Sequence, residues 1–219
     1  MPDAATRSVL ETDLPAQRAA LVTLKTGLGH AGIYAMLHRE LAFAERTARL
    51  AAIASRGRTT YSVTRLRATG CSALEFATWF NNLTADNAEV DMITACPDHY
   101  LLRRLPDGRQ EVIETTGGSP TATRFLVDYT CAEQVSVPID SNYPVQIAGQ
   151  AVLDDGFAVG AVRHQFRDQD GSMEALLTVE FPAVLPNVLI AAHRWHLAAE
   201  FSNWIIAAHA QQTDAPTDH

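Results

Sequence analysis

The chain has few cysteines and no cluster of basic residues, and each scarcity argues against a class of protein. Its three cysteines, Cys71, Cys96 and Cys131, lie far apart and form no C-x-x-C pair. They indicate neither a disulfide framework nor a zinc knuckle, so a reducing, cytoplasmic setting is the expectation. The formal net charge is −8 and the arginines are scattered, which argues against a nucleic-acid backbone or an anionic membrane as the partner.

Long uninterrupted apolar runs are missing as well. No stretch reaches the length of a membrane span, and we expect no signal peptide because Met1-Pro2-Asp3 leads into no basic and then apolar region. The 219 residues are 47% hydrophobic and 19% charged, which is enough to bury a substantial core. We therefore expect a globular protein with a helical extension at residues 1–56, a main domain at residues 57–211 and a flexible polar tail at residues 212–219.

Two patterns predict helices in the first part of the chain. Residues 15–55 are rich in alanine and helical in period, but the glycine-rich segment of residues 27–32 interrupts them. We expect two helices joined by a glycine turn. Ser72-Ala73-Leu74-Glu75 has the pattern of a capping box, which predicts a short helix from this point through Trp79 and Phe80.

Segments rich in β-branched residues predict an antiparallel sheet after Arg58. A first strand is expected at residues 59–69, where such residues alternate with polar ones. Further strands are expected at residues 88–95, 100–105, 111–115, 121–130, 144–153, 157–167 and 173–181. The second and third of these further strands should form a hairpin around Pro106-Asp107-Gly108.

One long helix is expected at the end of the chain, because Pro186 precedes a run without glycine or proline through Ala208. Helices, then antiparallel strands, then this helix predict an α+β fold in which a curved sheet grips the helix around a cavity. The helix is apolar nearly all round. Its back, with Trp195, Ala199 and Ile206, should therefore pack against residues 15–55 or against a second subunit in a homodimer.

The C-terminal helix also carries the closest group of candidate functional residues in the chain. His193, His196 and Glu200 fall within a sector of about 60° on the helix, beside apolar residues such as Leu197. An ionised Glu200 among apolar neighbours needs a cationic partner. Either His196 and Glu200 form an ordinary i,i+4 pair, or the face binds a metal ion.

The hairpin can supply the remaining ligands of such an ion. If Asp107-Gly108 is a two-residue loop, His99 and Glu114 lie diagonally on one face, whereas Glu111 pairs with Arg104 on the other. A three-residue loop would shift the register by one and undo this choice. Two histidines and two glutamates suit Zn²⁺ or another borderline divalent ion, with Fe²⁺ and Mn²⁺ as alternatives.

His164 is the candidate acid or base. Alternation in Val162, His164 and Phe166 points its side chain inward, where it is either a structural histidine or a proton-transfer group facing the cavity. Phe166, Trp204 and Phe125 are candidate walls for an aromatic ligand.

Four segments, taken in order, resemble a known family. They are Cys96-Pro97-Asp98-His99-Tyr100, Glu114-Thr115-Thr116-Gly117-Gly118-Ser119-Pro120, Arg163-His164-Gln165-Phe166-Arg167-Asp168 and His196-x-x-x-Glu200. From about Trp79 to Ala208 the chain resembles the 2,4-diacetylphloroglucinol hydrolase family, which includes phloretin hydrolase. The resemblance implies a Bet v 1/START-like helix-grip fold and a zinc site held by His99, Glu114, His196 and Glu200. It also implies hydrolysis of a carbon–carbon bond between an acyl group and a phenolic ring.

The resemblance further implies that His164 lies near the reacting ring of a small aromatic or polyketide substrate. Tyr100, Tyr129, Phe166 and Trp204 are the candidate substrate-binding residues. Two other functions fit the same expected fold: a metal-free START-like polyketide cyclase or aromatase, and a non-catalytic carrier of small hydrophobic ligands. Metal content separates the hydrolase from both, and turnover of an acylphenol separates an enzyme from a carrier.

Overall fold

The computed structural model describes residues 4–214. Met1-Pro2-Asp3 and residues 215–219 of the expected tail lie outside the described residues. The elements follow one another as α1 (Ala4–Ser55), β1 (Thr59–Ala68), α2 (Ala73–Ala85), α3 (Glu89–Thr94), β2 (His99–Arg104), β3 (Gln110–Glu114), β4 (Thr123–Asp128), a 3-10 helix (Tyr129–Gln134), β5 (Val145–Val152), β6 (Ala158–Gln169), β7 (Ser172–Pro182) and α4 (Asn187–Asp214).

The strands form one antiparallel sheet in the order β1-β7-β6-β5-β4-β3-β2. The sheet is curved, and α4 and the sheet together line a cavity. The predicted α+β helix-grip fold is confirmed. The main core fills the end of the sheet nearest α2, where Phe76, Phe166 and Phe201 are fully buried. Among the described residues, no helix has the length and hydropathy that a membrane crossing requires.

The predicted capping box is confirmed, and so are most of the strands to within a few residues. Ser72 Oγ accepts a hydrogen bond from the Glu75 backbone N–H, and the Glu75 carboxylate accepts one from the Ser72 N–H. The expected strand at residues 88–95 is wrong, because this segment forms the helix α3. It buries the adjacent residues Met92 and Ile93, and so short an apolar segment does not distinguish a helix from a strand by its period.

The N-terminal helices break where the sequence predicted but pack differently from the expectation. Within α1 two helical segments meet at a kink at Gly29, which has φ 60° and ψ 178°, a conformation that glycine adopts at little cost. Beyond the kink, Ile33 and Leu37 pack with Leu101 and Ile113 of the hairpin rather than with the back of α4.

The C-terminal helix is longer than the apolar run predicted, and the face of the helix with Trp195 and Ile206 is exposed to solvent. α4 continues to Asp214, which is three residues into the expected tail. Trp195 is 80% exposed and Ile206 is 65% exposed, so α1 does not cover this surface. The expected packing of α1 on α4 is therefore wrong, because α1 finds its apolar partner on the hairpin.

Candidate metal centre

A cavity of about 420 Å³ lies between α4 and the sheet. Its walls are mainly apolar, with Phe80, Leu102 and Val127 among the buried lining residues at one end. Phe43 of α1 and Leu189 of α4 also line the cavity, and they are exposed and half-buried respectively. The protein thus has a binding space of the size of a small hydrophobic molecule.

The hairpin brings His99 and Glu114 to one face by a route that the sequence did not predict. Leu102 pairs with Val112, which is one residue away from the assumed register, and the turn spans residues 105–109. A bulge between His99 and Leu101 then shifts the pairing by one further residue, so that His99 lies directly opposite Glu114 and shares its face again. The assumed two-residue loop is wrong, and the two side chains meet because the bulge compensates for it.

α4 supplies the other two side chains of the site from one face. His196 and Glu200 are one helical turn apart, and both are buried beside His99 and Glu114. His99 Nε2 lies 3.0 Å from Glu200 Oε2 and 3.6 Å from Glu114 Oε2. His196 Nε2 lies 3.6 Å from each of the same two oxygen atoms. Two nitrogens and two oxygens therefore converge within the reach of one ion.

The other ring nitrogen of each histidine faces a hydrogen-bond acceptor. His99 Nδ1 donates to the Met92 carbonyl at 3.3 Å, and His196 Nδ1 lies 3.4 Å from the Asp98 carboxylate. An acceptor at Nδ1 keeps the proton there and leaves the Nε2 lone pair for a metal ion. This is the arrangement that supports metal-ligating histidines in proteins.

Without an ion, the four side chains form a charge cluster. Burial opposes the positive charge on His196, but Glu114 and Glu200 outweigh this and raise its pKa. Burial would raise the pKa of Glu114, but His196 and His99 lower it to about 2. An ionised Glu114 carboxylate in a buried site provides negative charge of the kind that a divalent cation requires.

The four nitrogen–oxygen distances suit a tetrahedral ion. Zinc bonds of about 2.0–2.1 Å place adjacent donors of a tetrahedron about 3.3 Å apart, which is close to the 3.0–3.6 Å measured for four of the six donor pairs. Cys96 is a second candidate ligand, because one ligand atom each from Cys96, His99 and His196 lies within 4.8 Å of the others. Cys96 Sγ, however, approaches His196 Nδ1 at 3.7 Å, on the side away from both carboxylates. The structure thus offers two overlapping sets of candidate ligands, one with Cys96 and one with the two glutamates.

Two glycines allow the segment after Glu114 to lie against α4. A Cβ atom on Gly117 would lie 2.6 Å from His193 Cα and 2.9 Å from His196 Cβ. One on Gly118 would lie 2.5 Å from the Ala192 Cβ, and Gly118 also has a φ of 79°. Only glycine permits this approach. The close packing ties the end of β3 to the helix that carries His196.

His164 and Trp204 line the cavity and are buried, with 7% and 4% of their surface exposed. His164 Nδ1 and Trp204 Nε1 have no hydrogen-bond partner among the described residues. Burial, and secondarily the charge of a protonated His193, lower the pKa of His164 to about 3. His164 is therefore neutral at pH 7 and can accept a proton or donate an N–H hydrogen bond.

Of the four candidate substrate-binding residues, two line the cavity and two do not. Tyr129 and Trp204 line the cavity, and the Tyr129 hydroxyl donates to Gln110 Oε1 at 2.8 Å. Tyr100 lies outside the cavity because the bulge turns it toward the cluster beneath α1. Phe166 is core rather than cavity wall, since it packs against the Phe76 ring at 5.1 Å.

Three residues outside the predicted ligand and substrate-binding sets also belong to the site. Gln110 lines the cavity beside Tyr129, and Asp98 contacts His196. His193 lines the cavity too, with Nδ1 3.0 Å from Ser62 Oγ. The sequence could have predicted the place of Gln110. It lies two residues before Val112 and four before Glu114 on the same strand, so the three side chains share one face.

Comparisons with known proteins find distant likenesses. No protein-family model matches the chain, and no curated protein matches it. The crystal structure of Ara h 8.0201 is similar at 12% identity and a TM-score of 0.42, over 69% of this chain and 99% of that one. The solution structure of the AHSA1-like protein from Aeromonas hydrophila is similar at 15% identity and a TM-score of 0.41, over 72% and 99%. The crystal structure of protein Ms6760 from Mycobacterium smegmatis is similar at 13% identity and a TM-score of 0.35, over 73% of this chain and 92% of that one.

Proposed function

We propose that the protein is a metal-dependent hydrolase that cleaves the carbon–carbon bond between an acyl group and a phenolic ring, or a related β-diketone. The observation that supports this best is the convergence of two Nε2 and two Oε2 atoms, 3.0–3.6 Å apart, beside an apolar cavity. The resemblance of the four sequence segments to the 2,4-diacetylphloroglucinol hydrolase family supports the same reaction. Zinc is the ion we expect, with Fe²⁺ and Mn²⁺ as alternatives.

His99, Glu114, His196 and Glu200 would hold the ion, which would supply Lewis-acid polarisation of the acyl oxygen. The apolar walls would orient the ring and keep bulk water from it. Tyr129, with Gln110, offers a polar contact for a ring hydroxyl at the buried end of the cavity. His164 is neutral before reaction and would exchange a proton with the ring or its hydroxyl group.

The reaction balances with water as the only co-substrate. Water adds to the acyl carbon, and the bond between that carbon and the ring carbon breaks. The electron pair of that bond stays on the ring carbon, which takes up a proton as the acyl group leaves as a carboxylic acid. A phenolic ring suits this step because its hydroxyl groups stabilise the negative charge that develops on the ring.

A metal-free carrier or START-like cyclase is the second candidate, and one observation favours it. The four side chains can satisfy one another without an ion, because His99 Nε2 lies within hydrogen-bonding distance of Glu200 at 3.0 Å. A protonated His196 between two carboxylates would balance the remaining charge. In that case the cavity would bind a hydrophobic ligand without cleaving a bond.

Elemental analysis of protein purified from zinc-supplemented medium tests the proposed function first. We expect one divalent ion per chain, retained by Cys96→Ser and by Glu111→Gln but lost by Glu114→Gln. Glu111 is a matched control because it is buried on the opposite face of the same strand. Loss of the ion from Cys96→Ser would show that Cys96 is a ligand and that the proposed ligand set is wrong. Wild-type protein without an ion would favour the carrier or the cyclase.

Turnover is the second measurement. The metal-loaded protein should convert an acylated polyhydroxyphenol into the deacylated phenol and the free acid, detected by liquid chromatography. Tight binding of such compounds without product, by a metal-replete protein, would argue for a carrier. Failure to act on any acylphenol or β-diketone would contradict the proposed reaction.

A further inference from the structure

The loop that leads into β2 carries several groups of the candidate metal centre. His99 is a proposed ligand, Asp98 contacts His196 Nδ1, and Cys96 lies beside the same nitrogen. β2 is an edge strand of the sheet, so no neighbouring strand satisfies the backbone groups on its free side. A contact with those backbone groups therefore helps to fix the positions of the ligand side chains.

A single side chain from α1 meets two of these backbone groups. Lys25 Nζ donates to the Pro97 carbonyl at 2.6 Å and to the His99 carbonyl at 2.5 Å. The ammonium also lies 5.5 Å from the centre of the Tyr100 ring. Lys25 is only 7% exposed and its bond to the His99 carbonyl is buried, so breaking that bond would leave a buried carbonyl without this donor.

Lys25 is also the one lysine of the chain, since the other sixteen of its 17 basic residues are arginines. A compact ammonium with three donors can bind two converging carbonyls, whereas a guanidinium is shaped for parallel acceptors. Lys25 lies in the part of α1 that precedes the kink at Gly29, and its side chain is buried against the loop of residues 96–99. The helix thus presents this charge to the ligand loop.

We propose that Lys25 is a positioning residue of the metal centre, which holds the loop of residues 96–99 from α1 and so sets the place of His99 and Asp98 relative to His196. This inference rests on the proposed function, because it assumes that His99 and His196 bind an ion. Residues that orient metal ligands through such contacts typically change metal affinity about 10–100-fold when they are replaced. The N-terminal helix would then be part of the site and not only a cover for the sheet.

A second tie between α1 and the hairpin provides the control. Tyr34 of α1 hydrogen-bonds to the Glu111 carboxylate, which also binds Arg103 and Arg124. This network joins the same helix to the same hairpin, but it makes no contact with the loop of residues 96–99. Glu111→Gln should therefore weaken the docking of α1 while it leaves the ligand loop in place.

Titration of the metal-free, full-length proteins with Co²⁺ measures the effect. Lys25→Met should raise the Kd for Co²⁺ about 10–100-fold and change the visible absorption spectrum of the bound ion. Lys25→Arg should recover part of the affinity, because it restores buried donors. Glu111→Gln should lower the thermal midpoint and leave both the Kd and the spectrum unchanged.

Three results separate the alternatives. If Lys25→Met binds Co²⁺ as the wild type does, or loses no more affinity than Glu111→Gln at a similar loss of thermal stability, Lys25 is a structural residue only. If the wild type itself binds no Co²⁺, the proposed metal centre fails first and this inference fails with it. A wild type that binds and a Lys25→Met variant that binds weakly support both.

A measurement on the unaltered protein covers the case in which Lys25→Met does not fold. By linkage, a contact that favours metal binding is itself favoured by the metal. Co²⁺ should therefore slow acylation of Lys25 by an amine-reactive reagent, followed by mass spectrometry of the peptide that contains it. Equal acylation rates with and without Co²⁺ would overturn the inference.

Discussion

His164 illustrates how a residue's environment narrows its chemistry. An exposed histidine titrates near neutrality and can serve as an acid or a base at pH 7. Burial in the cavity wall, together with His193, lowers the pKa of His164 to about 3. The imidazole is therefore neutral at the start of a reaction cycle and cannot act as an acid in the imidazolium form. In the proposed reaction it must first accept a proton from water or a ring hydroxyl before it can donate one.

His164→Ala tests this role. Loss of a group that acts only in proton transfer should lower kcat about 10²–10⁴-fold and leave the metal content unchanged, because His164 is not among the proposed ligands. Steady-state kinetics and elemental analysis on the same preparation measure both. His38→Ala, at an exposed position on α1, is the control and should behave as the wild type. Full activity of His164→Ala would show that His164 is only a core residue.

Gly117 shows how one missing side chain allows an element to reach its place. The segment after β3 touches the backbone of α4 at His193, so any Cβ at position 117 would overlap it. We expect Gly117→Ala to destabilise the protein by about 1–3 kcal/mol and to weaken metal binding, because Glu114 would move with the segment. Chemical denaturation and a Co²⁺ titration measure the two effects.

Gly27→Ala is the matched control for this substitution. Gly27 lies in α1, and a Cβ there would meet no atom within 4 Å. Alanine is the better helix former by about 0.5–1 kcal/mol, so this variant should be as stable as the wild type or more so. A Gly117→Ala protein that matched it in stability and metal affinity would mean that the contact with α4 is not needed.

The outer face of the sheet is held to α1 by a buried carboxylate, and this makes stability depend on pH. Burial would raise the pKa of Glu111, but hydrogen bonds from Tyr34, Arg103 and Arg124 outweigh it and lower the pKa below the ordinary value of 4.5. A depressed carboxyl pKa contributes stability that is fully present above the unfolded value. That contribution is lost as the pH falls through the lower, folded value.

Glu111→Gln should therefore cost about 3 kcal/mol at pH 7, because it leaves two arginines without their shared partner. The variant should also lose less stability than the wild type when the pH falls below about 4.5. Urea denaturation at pH 7, 4 and 3 measures both effects. Glu174→Gln, in the more exposed pair with Arg167, should have a much smaller effect at pH 7. Equal losses for the two variants would contradict the importance of the buried network.

At the scale of the whole molecule, α1 completes the main domain. Leu101 and Ile113 are almost fully buried beneath it, with 2% and 0% of their surface exposed. Deletion of residues 1–55 would expose them and would also remove Lys25 and Tyr34. We expect the truncated chain to aggregate or to lose its cooperative thermal transition, as measured by size-exclusion chromatography and circular dichroism. A soluble truncated protein that melts cooperatively would contradict this.

The predicted homodimer stays a prediction. Trp195 is largely exposed on the back of α4, and Leu24 and Leu50 are largely exposed on α1. Large apolar side chains on a surface are compatible with a subunit contact, but scattered ones are also normal in monomers.

The sequence by itself determined the periodic features of this protein. Alternation of side chains predicted most of the strands, and the capping box at Ser72 and Glu75 marked the start of α2. Helical spacing placed His196 and Glu200 on one face of the last helix. These predictions needed only the geometry of a single helix or strand, which local sequence specifies. The helix-grip fold followed from the order of the elements.

The tertiary structure alone decided what depends on contacts between distant residues. The bulge that pairs His99 with Glu114 and turns Tyr100 outward lies in an edge strand, where nothing in the local pattern reveals it. The docking of α1 on the hairpin, and with it the contact of Lys25 with the ligand loop, joins residues more than seventy positions apart. Many surfaces can bury an apolar helix face, and the complementary one exists only after the sheet has formed.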